Sequence, residues 1–403
     1  MKITDLKTFV VGNPPPFTGG RYFIFLKLVT DDGVSGVGEV YNATFAPRVI
    51  EAMIRDVFQT HVEGMDPFHI ERLWRDVHGR GYSQRPDITL MGVMSGIEMA
   101  LWDICGKSTG KPVYELLGGK VHERLRAYTY LYPRSDEGHA YSDPAVYRDP
   151  DVAAIRALDY VREGFSAVKF DPAGTFSTFD PRQPSLERLE LSERFCRRIR
   201  EAVGTSCDLL FGTHGQFTTS GAVRLARRLE AYDPLWFEEP VPPEMPEEMG
   251  LVARQTSIPI AAGERLTTKY EFMRLLDHRA ASILQINLGR VGGLLEAKKI
   301  AGMAEARYAQ IAPHLYCGPI VGAANIQIAA CSPNFLILES IEQWTGFHAK
   351  ILKKPIRFEE GHVIPPTEPG LGVELDEEVA LAHPWTGTAL HLVPTYGPVG
   401  LDQ

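Results

Sequence analysis

The apolar positions of the first 120 residues follow two different periods. Three runs are typical of β-strands: residues 3–10, 22–30 and 34–39. Three later runs place apolar side chains at helical spacing: residues 46–59, 67–78 and 93–107. Asp31-Asp32-Gly33 joins two of the strands, and Gly accepts the positive φ that a hairpin turn requires. The pattern predicts an α+β domain over residues 1–124.

The pattern changes at about residue 125 to an alternation of strand and helix. Eight short apolar strands are predicted at residues 125–130, 167–170, 209–212, 235–238, 258–263, 283–287, 310–312 and 335–338. Seven helices are predicted between them, at residues 150–163, 184–203, 218–231, 246–255, 268–277, 293–307 and 319–331. Because each strand is apolar throughout, both of its faces should be covered, which favours a closed parallel barrel over residues 125–345. The Pro- and Gly-rich remainder, residues 346–403, is predicted to return to the first domain.

Composition narrows the classes of partner. Lys and Arg number 42 against 51 Asp and Glu, a formal charge of −9, which disfavours a nucleic-acid partner because phosphate binding needs a basic face. The five cysteines are widely spaced without a CxxC pair, which is typical of a reducing compartment. No stretch approaches the roughly 18 uninterrupted apolar residues needed to span a bilayer. We expect a cytoplasmic protein with no membrane partner.

Polar side chains follow the predicted barrel strands, where the active sites of parallel barrels lie. They are Lys169, Asp171, His214, Glu238, Glu239, Glu264, Asn287, His314 and Glu339. From Gly212 onward, positions 212, 238, 264, 287, 314 and 339 recur every 23 to 27 residues, the length of one strand plus one helix. These side chains are therefore predicted to converge on one mouth.

At these residues the chain resembles the enolase superfamily, in its mandelate racemase/muconate lactonizing enzyme type and the acid-sugar (galactonate- and mannonate-like) dehydratase branch. The marks are ALWDICGK at 100–107, KPVYELLGG at 111–119, WFEEP at 236–240, AGE at 262–264, Gly292-Gly293, Pro313-His314 and Leu338-Glu339. The resemblance covers nearly the whole chain. It implies a (β/α)7β TIM-like barrel with an α+β capping domain formed by the N-terminal segment and the C-terminal tail. It also implies Mg²⁺, a small-molecule sugar acid as substrate and a homo-oligomer.

The resemblance assigns Glu238 and Glu264 as two of three acidic metal ligands. A metal is needed because removing a proton α to a carboxylate creates a dianionic enediolate, which a hard cation stabilises. The third matching position is Gly212, so another ligand is required: His214, Asp171, water or the substrate.

The resemblance also assigns the proton-transfer residues. His314 matches the histidine base, but its usual aspartate partner is Asn287 here, which cannot stabilise an imidazolium by charge, so a weaker base is expected. His214 matches the residue that protonates the departing hydroxyl. It lies two residues after Gly212, so it could instead occupy the vacant ligand position.

The remaining predicted residues are expected to lie around the substrate. Lys169 is expected to stabilise substrate or enediolate charge rather than to act as a base, because Asp171 would keep it protonated; a purely structural ion pair is the alternative. Glu339 is expected to be protonated and to hydrogen-bond the substrate carboxylate.

Arg21, in a candidate gating loop at residues 13–22, is a candidate to bind a distal hydroxyl or carboxylate of the substrate. The region 82–86 is a second candidate gating loop. Further candidate substrate-binding residues are Asp171, Asn287 and Glu239.

Three functions are consistent with these residues. The first is a Mg²⁺-dependent dehydratase that removes the α-proton and a β-hydroxyl of a sugar acid to give a 2-keto-3-deoxy acid. The second is a racemase, epimerase or lactone cycloisomerase that uses the same proton abstraction. The third is a non-catalytic sugar-acid binder, to which the departures at Gly212 and Asn287 point.

Overall fold

A three-stranded antiparallel sheet begins the fold. The computed structural model describes residues 1–79, 82, 87–142, 144–171 and 182–392. The strands are β1 (Ile3–Gly12), β2 (Tyr22–Thr30) and β3 (Ser35–Val40), in the order β1-β2-β3. Gly33 adopts a φ of 85° in the predicted hairpin turn between β2 and β3.

The cap helices cover this sheet. They are α1 (Pro47–Val57), continued by a π-helical turn (Phe58–Val62), α2 (Ile70–Gly79), α3 (Ile88–Thr109) and α4 (Val113–Leu116). A Cβ at Gly38 would lie 1.8 Å from the carbonyl oxygen of Gly96, so glycine allows β3 and α3 to touch through their backbones. Helix α3 is long and apolar enough to cross a membrane, but 83% of its apolar window is buried inside the protein.

Eight parallel strands form a closed barrel. They are β4 (Leu125–Tyr130), β5 (Ala167–Phe170), β6 (Asp208–Gly212), β7 (Trp236–Glu238), β8 (Ile260–Ala262), β9 (Ile283–Leu284), β10 (Gln310–Ile311) and β11 (Leu338–Ser340). Strand β11 pairs in parallel with β4, and a parallel bridge between Ile311 and Phe335 joins its approach to β10, which closes the ring. The helices between successive strands are α5 (Pro150–Arg162), α6 (Leu186–Val203), α7 (Thr219–Leu229), α8 (Pro246–Ala253), α9 (Thr268–Asp277), α10 (Leu294–Glu305) and α11 (Pro319–Ala330). The predicted α/β class and (β/α)7β barrel are confirmed.

One apolar layer fills the barrel interior. Each strand, or the residue next to it, contributes one member: Tyr128, Ala167, Leu210, Trp236, Ala261, Ile283, Ala312 and Ile337. Large and small side chains together fill the ring, as in other packed parallel barrels. Because side chains of a strand alternate between faces, the residue two positions after each member also points inward, one level nearer the mouth.

The C-terminal segment contains α12 (Gly346–Lys350), β12 (Phe358–Glu359), β13 (His362–Val363) and α13 (Glu377–Ala382). It was predicted to return to the cap, but its hairpin pairs with the barrel: β13 lies antiparallel to the first residues of β4 and extends the barrel sheet there. The later part contacts the cap, where Glu377 pairs with Lys7 and Lys27 at 3.1 and 2.5 Å.

Two buried carboxylates of the cap dock onto barrel helices. Glu39 of β3 accepts hydrogen bonds from the backbone N–H groups of Gly318 (2.5 Å) and Val321 (2.9 Å) at the start of α11. Glu98 of α3 accepts those of Leu294 and Leu295 at the start of α10. Free N–H groups at a helix start favour such acceptors. Burial nevertheless raises the pKa of both carboxyls to about 7.

Candidate active site

The candidate site is formed by the inward-facing side chains that lie directly above the apolar interior layer, at the mouth of the barrel. Each of its members lies two residues after a member of the apolar interior layer: Lys169, Gly212, Glu238, Gln285, His314 and Glu339. The period of two therefore places them on one ring at the carboxyl ends of the strands. On the sixth strand this position is Gln285, a polar residue within an apolar run, which the sequence analysis passed over in favour of Asn287.

Glu264 enters the same mouth by a different route. It follows Gly263, which has a φ of 137°, and a Cβ at Gly263 would lie 2.8 Å from a ring carbon of Phe272. The glycine thus permits a turn at the end of β8 that most residues could not adopt. The turn brings the Glu264 carboxylate within 3.0 Å of His314 Nε2.

Glu238 is held by three donors. Lys169 Nζ lies 2.6 Å from Oε1, while Gln285 Nε2 (2.7 Å) and Trp236 Nε1 (3.2 Å) donate to Oε2. Burial raises the pKa of the Glu238 carboxyl to about 7, although the Lys169 ammonium acts in the opposite direction. Burial would lower the pKa of Lys169, but Glu238, Glu339 and Glu264 raise it above its ordinary value. Lys169 is therefore a cation in this site.

Ligand atoms of His214, Glu238 and Glu264 all lie within 4.8 Å of one another. Two buried carboxylates and an imidazole form a donor set that fits a divalent cation. Burial tends to raise the pKa of Glu264, but His314, His214 and Lys169 hold it well below its usual range. Burial lowers the pKa of His214 to about 4, so its neutral ring offers a lone pair.

The ring of His314 is oriented by an amide. Asn287 Oδ1 accepts the N–H of Gly289 at 2.9 Å, so its Nδ2 faces His314 Nδ1 at 2.7 Å. An amide nitrogen only donates, which assigns the lone pair to Nδ1 and the proton to Nε2, facing Glu264. Burial lowers the pKa of His314, but Glu264 and Glu339 raise it above its ordinary value overall.

Glu339 and Asp171 complete the polar wall. Glu339 accepts the N–H of Leu315 at 2.8 Å and lies 3.5 Å from Lys169 Nζ. Asp171 lines the pocket 3.4 Å from Gln216 Nε2. Asp171 was expected to be the ion partner of Lys169; instead the ammonium turns to Glu238 and Glu339, because all three occupy the inward-facing level.

A cavity of about 650 Å³ lies between this mouth and the cap. Its most frequent lining residue is tyrosine: Tyr41, Tyr130, Tyr132, Tyr141, Tyr147 and Tyr316. Two cations that the sequence analysis missed also line it, Arg265, which directly follows Glu264, and Arg290, which stacks on Tyr41 at 3.8 Å. The mouth of the barrel thus carries both carboxylates and cations, while much of the remaining cavity wall is aromatic.

The C-terminal tail reaches this cavity. The buried ring of His391 lies between two backbone carbonyls, with Nδ1 2.8 Å from the oxygen of Tyr22 and Nε2 3.1 Å from that of Tyr316. The next residue, Leu392, lines the pocket. The last described residues of the chain therefore form part of its wall.

Three predicted substrate-binding residues contact side chains of the cavity wall rather than the cavity itself. Glu239 accepts from Arg265 Nε at 2.8 Å, so its effect on a ligand would pass through that arginine. Asn287 is buried beneath His314 and acts through its ring. Arg21 stacks on Tyr141 with its guanidinium carbon 4.2 Å from the ring centre. In the second predicted gating loop, residues 83–86 lie outside the described residues.

Comparison with known protein families gives two matches. Residues 18–118 match the N-terminal domain of mandelate racemase/muconate lactonizing enzymes, and residues 152–379 match the enolase C-terminal domain-like family. The chain belongs to the mandelate racemase/muconate lactonizing enzyme family. Its membership of the enolase superfamily, expected from the sequence, is thereby confirmed.

Curated relatives lie on the dehydratase side of this family. The chain is 36% identical over 390 residues to a D-galactonate dehydratase of Ralstonia nicotianae, covering 94% of each chain. It is 33% identical over 397 residues to a D-xylonate dehydratase of Haloferax volcanii, covering 96% of this chain and 90% of the relative. The expected dehydratase branch is confirmed.

Solved structures agree over the full length. A mandelate racemase/muconate lactonizing enzyme-type protein from Labrenzia alexandrii DFL-11 superposes with a TM-score of 0.94 at 66% identity, covering 98% of this chain and 99% of that one. Another from Burkholderia SAR-1 gives 0.96 at 59% identity, covering 100% and 99%.

Proposed function

We propose that this protein is a Mg²⁺-assisted hydro-lyase that removes the α-proton and the β-hydroxyl of a sugar acid to give a 2-keto-3-deoxy acid. The observation that carries the proposal is the convergence of His214, Glu238 and Glu264 within 4.8 Å, beside His314. Relatives named for galactonate and xylonate, both aldonic acids, support the substrate class.

Glu238 and Glu264 would hold the cation, which would supply positive charge to the substrate carboxylate as the enediolate forms. Lys169, a buried cation at the same level, adds charge stabilisation on the β5 side. Glu339, 3.9 Å from His314 Nε2, is proposed to donate a hydrogen bond from its carboxyl group to the substrate carboxylate. These residues lower the cost of the negative charge that proton removal creates.

His314 is the proposed base, because its Nε2 points into the mouth beside Glu264. To accept a proton at Nε2 the ring must transfer its hydrogen to Nδ1, and the Asn287 amide opposes that tautomer. His214 is proposed to give a proton to the departing hydroxyl; a bound substrate carboxylate would raise its pKa from about 4 toward the working range.

The enzyme is further proposed to work in the cytoplasm as a homo-oligomer that takes small sugar acids and has neither a nucleic-acid nor a membrane partner. The net charge of −9 and the family relationship support this. Light scattering of the purified protein checks the assembly: a monomer at micromolar concentration would contradict it.

The test is a panel of aldonic and aldaric acids incubated with the Mg²⁺-loaded protein. Formation of a 2-keto-3-deoxy acid, detected as its semicarbazone, is expected for at least one member. Exchange of the α-proton for deuterium without loss of a hydroxyl would indicate racemisation or epimerisation instead. Tight binding of a sugar acid with neither reaction would contradict the proposal.

A further inference from the structure

The side chain of Lys169 lies across Gly212. Glu238 is two strands away from Lys169, because β6 stands between β5 and β7. Neighbouring strands are about 4.8 Å apart, so the lysine must pass over β6 to reach Glu238 Oε1 at 2.6 Å. It passes where Gly212 has no side chain: a Cβ there would lie 2.7 Å from Lys169 Cε and 3.6 Å from Cγ.

Gly212 also stands at the position where the family resemblance places a third acidic ligand. In this chain that position supplies space instead of charge, and the space is filled by a cationic side chain. The ammonium neutralises Glu238, one of the three residues whose ligand atoms converge. The other oxygen of Glu238 is held by Gln285 and Trp236, so Oε1 is the atom left for a cation.

We infer that Lys169, lying across Gly212, is a built-in competitor of the divalent cation for Glu238. The ammonium holds Oε1 in the metal-free protein and must withdraw before a cation can bind there. The Lys169–Gly212 pair therefore sets the metal affinity below that of a site with a free Glu238. This inference rests on the metal site of the proposed function, but not on the identity of the reaction.

Gly212→Ala tests it with little change to the fold. The φ of Gly212 lies outside the left-handed region, so alanine fits the backbone, and the atom it would displace is near the flexible end of a lysine. The added methyl should push the ammonium away from Glu238 without removing any charge. Lys169→Met removes the ammonium at similar volume. Gly302→Ala in α10, where a new Cβ meets nothing within 4 Å, is the matched control.

Isothermal calorimetry with Mg²⁺, and with Mn²⁺ as a second probe, should show about tenfold tighter binding to Gly212→Ala and to Lys169→Met than to wild type. Gly302→Ala should bind as wild type does. The Mg²⁺-dependent rise in melting temperature should likewise be larger for Gly212→Ala and Lys169→Met than for wild type and Gly302→Ala. If Lys169→Met fails to fold, Gly212→Ala decides alone.

Unchanged or weaker Mg²⁺ binding by Gly212→Ala overturns the inference, whether or not wild type binds the ion. The affinity comparison needs no substrate, so its failure is distinct from that of the proposed function. If wild type dehydrates a sugar acid but Gly212→Ala binds Mg²⁺ no more tightly, the proposed function stands and the inference that Lys169 competes with the cation is wrong. If Gly212→Ala binds Mg²⁺ more tightly but wild type turns over no sugar acid, the inference stands and the proposed function is wrong.

Discussion

The side-chain amide of Asn287 donates to Nδ1 of His314 over 2.7 Å, and Gly289 prevents the amide from turning round. A carboxylate in the same place would accept the Nδ1 hydrogen and leave Nε2 free to take a proton. The amide imposes the opposite tautomer. The tautomer of the base in this site is thus set by one residue, Asn287.

Asn287→Asp should strengthen the base. A carboxylate at residue 287 can still accept the Gly289 N–H and would raise the pKa of His314 further. Since a base must be deprotonated to act, the acidic limb of the pH–rate profile should move to higher pH, and the plateau rate of α-proton exchange should rise by about tenfold. Proton NMR in D₂O across pH 5 to 9 measures both. A mutant with the wild-type limb and plateau contradicts this account of His314.

His314→Asn should slow proton abstraction strongly. Removing a general base typically costs about 10² to 10⁴ in rate. Exchange of the substrate α-proton in D₂O is therefore expected to fall by that factor, while Mg²⁺ affinity measured by calorimetry changes little. His69→Gln, at an exposed histidine of the cap, is the control. Exchange that persists in His314→Asn would mean that another group removes the proton.

His214→Asn separates the two roles open to that residue. As the proton donor to the departing hydroxyl, its loss should slow keto-acid formation about 100-fold while α-proton exchange continues. Both rates are measured on one sample, by NMR and by semicarbazone formation. If exchange and Mg²⁺ affinity fall together with dehydration, His214 is a metal ligand instead.

Glu39 should make thermal stability depend on pH. Its folded-state pKa of about 7 lies above the ordinary 4.5, so the protonated carboxyl favours folding; this contribution is full below about 4.5 and is lost as pH rises to 7. The shift corresponds to about 3 kcal/mol. Melting temperature should therefore fall between pH 5 and 7.5, and fall less in Glu39→Gln, which cannot titrate.

The same Glu39→Gln variant should be less stable than wild type at pH 5. An amide nitrogen cannot accept, so one of the two N–H donors would lose its partner, whereas the hydroxyl oxygen of the protonated carboxyl keeps a lone pair for it; an unsatisfied buried donor costs about 1 to 3 kcal/mol. Glu63→Gln, at an exposed position of the cap, controls for the loss of a surface charge. An unchanged pH dependence in Glu39→Gln would assign the effect to other groups, such as Glu98.

The strands were predictable where burial on both faces gives an uninterrupted apolar run. The bounds of β4 and β5 agree with the prediction to the residue. The sixth strand was predicted at residues 283–287, but β9 ends at Leu284, and β11 begins at Leu338, three residues after the predicted start. At the mouth the chain leaves the ladder to position side chains, which apolar patterning does not record.

Spacing brought the right polar residues to one mouth but did not predict their partners. Glu238, Glu264 and His314 converge because each lies at the carboxyl end of a strand or shortly after it. Lys169 passing over Gly212, by contrast, depends on which of two strand faces a side chain occupies and on the empty volume between strands. Counting two residues on from Ile283, as the alternation of a strand requires, would have predicted that Gln285 faces the site.

The pocket wall takes residues from both ends of the polypeptide, from Tyr41 near the start to Leu392 near the finish. Chimaeras built by joining the cap of one relative to the barrel of another would therefore mismatch the cavity unless the last residues travel with the cap.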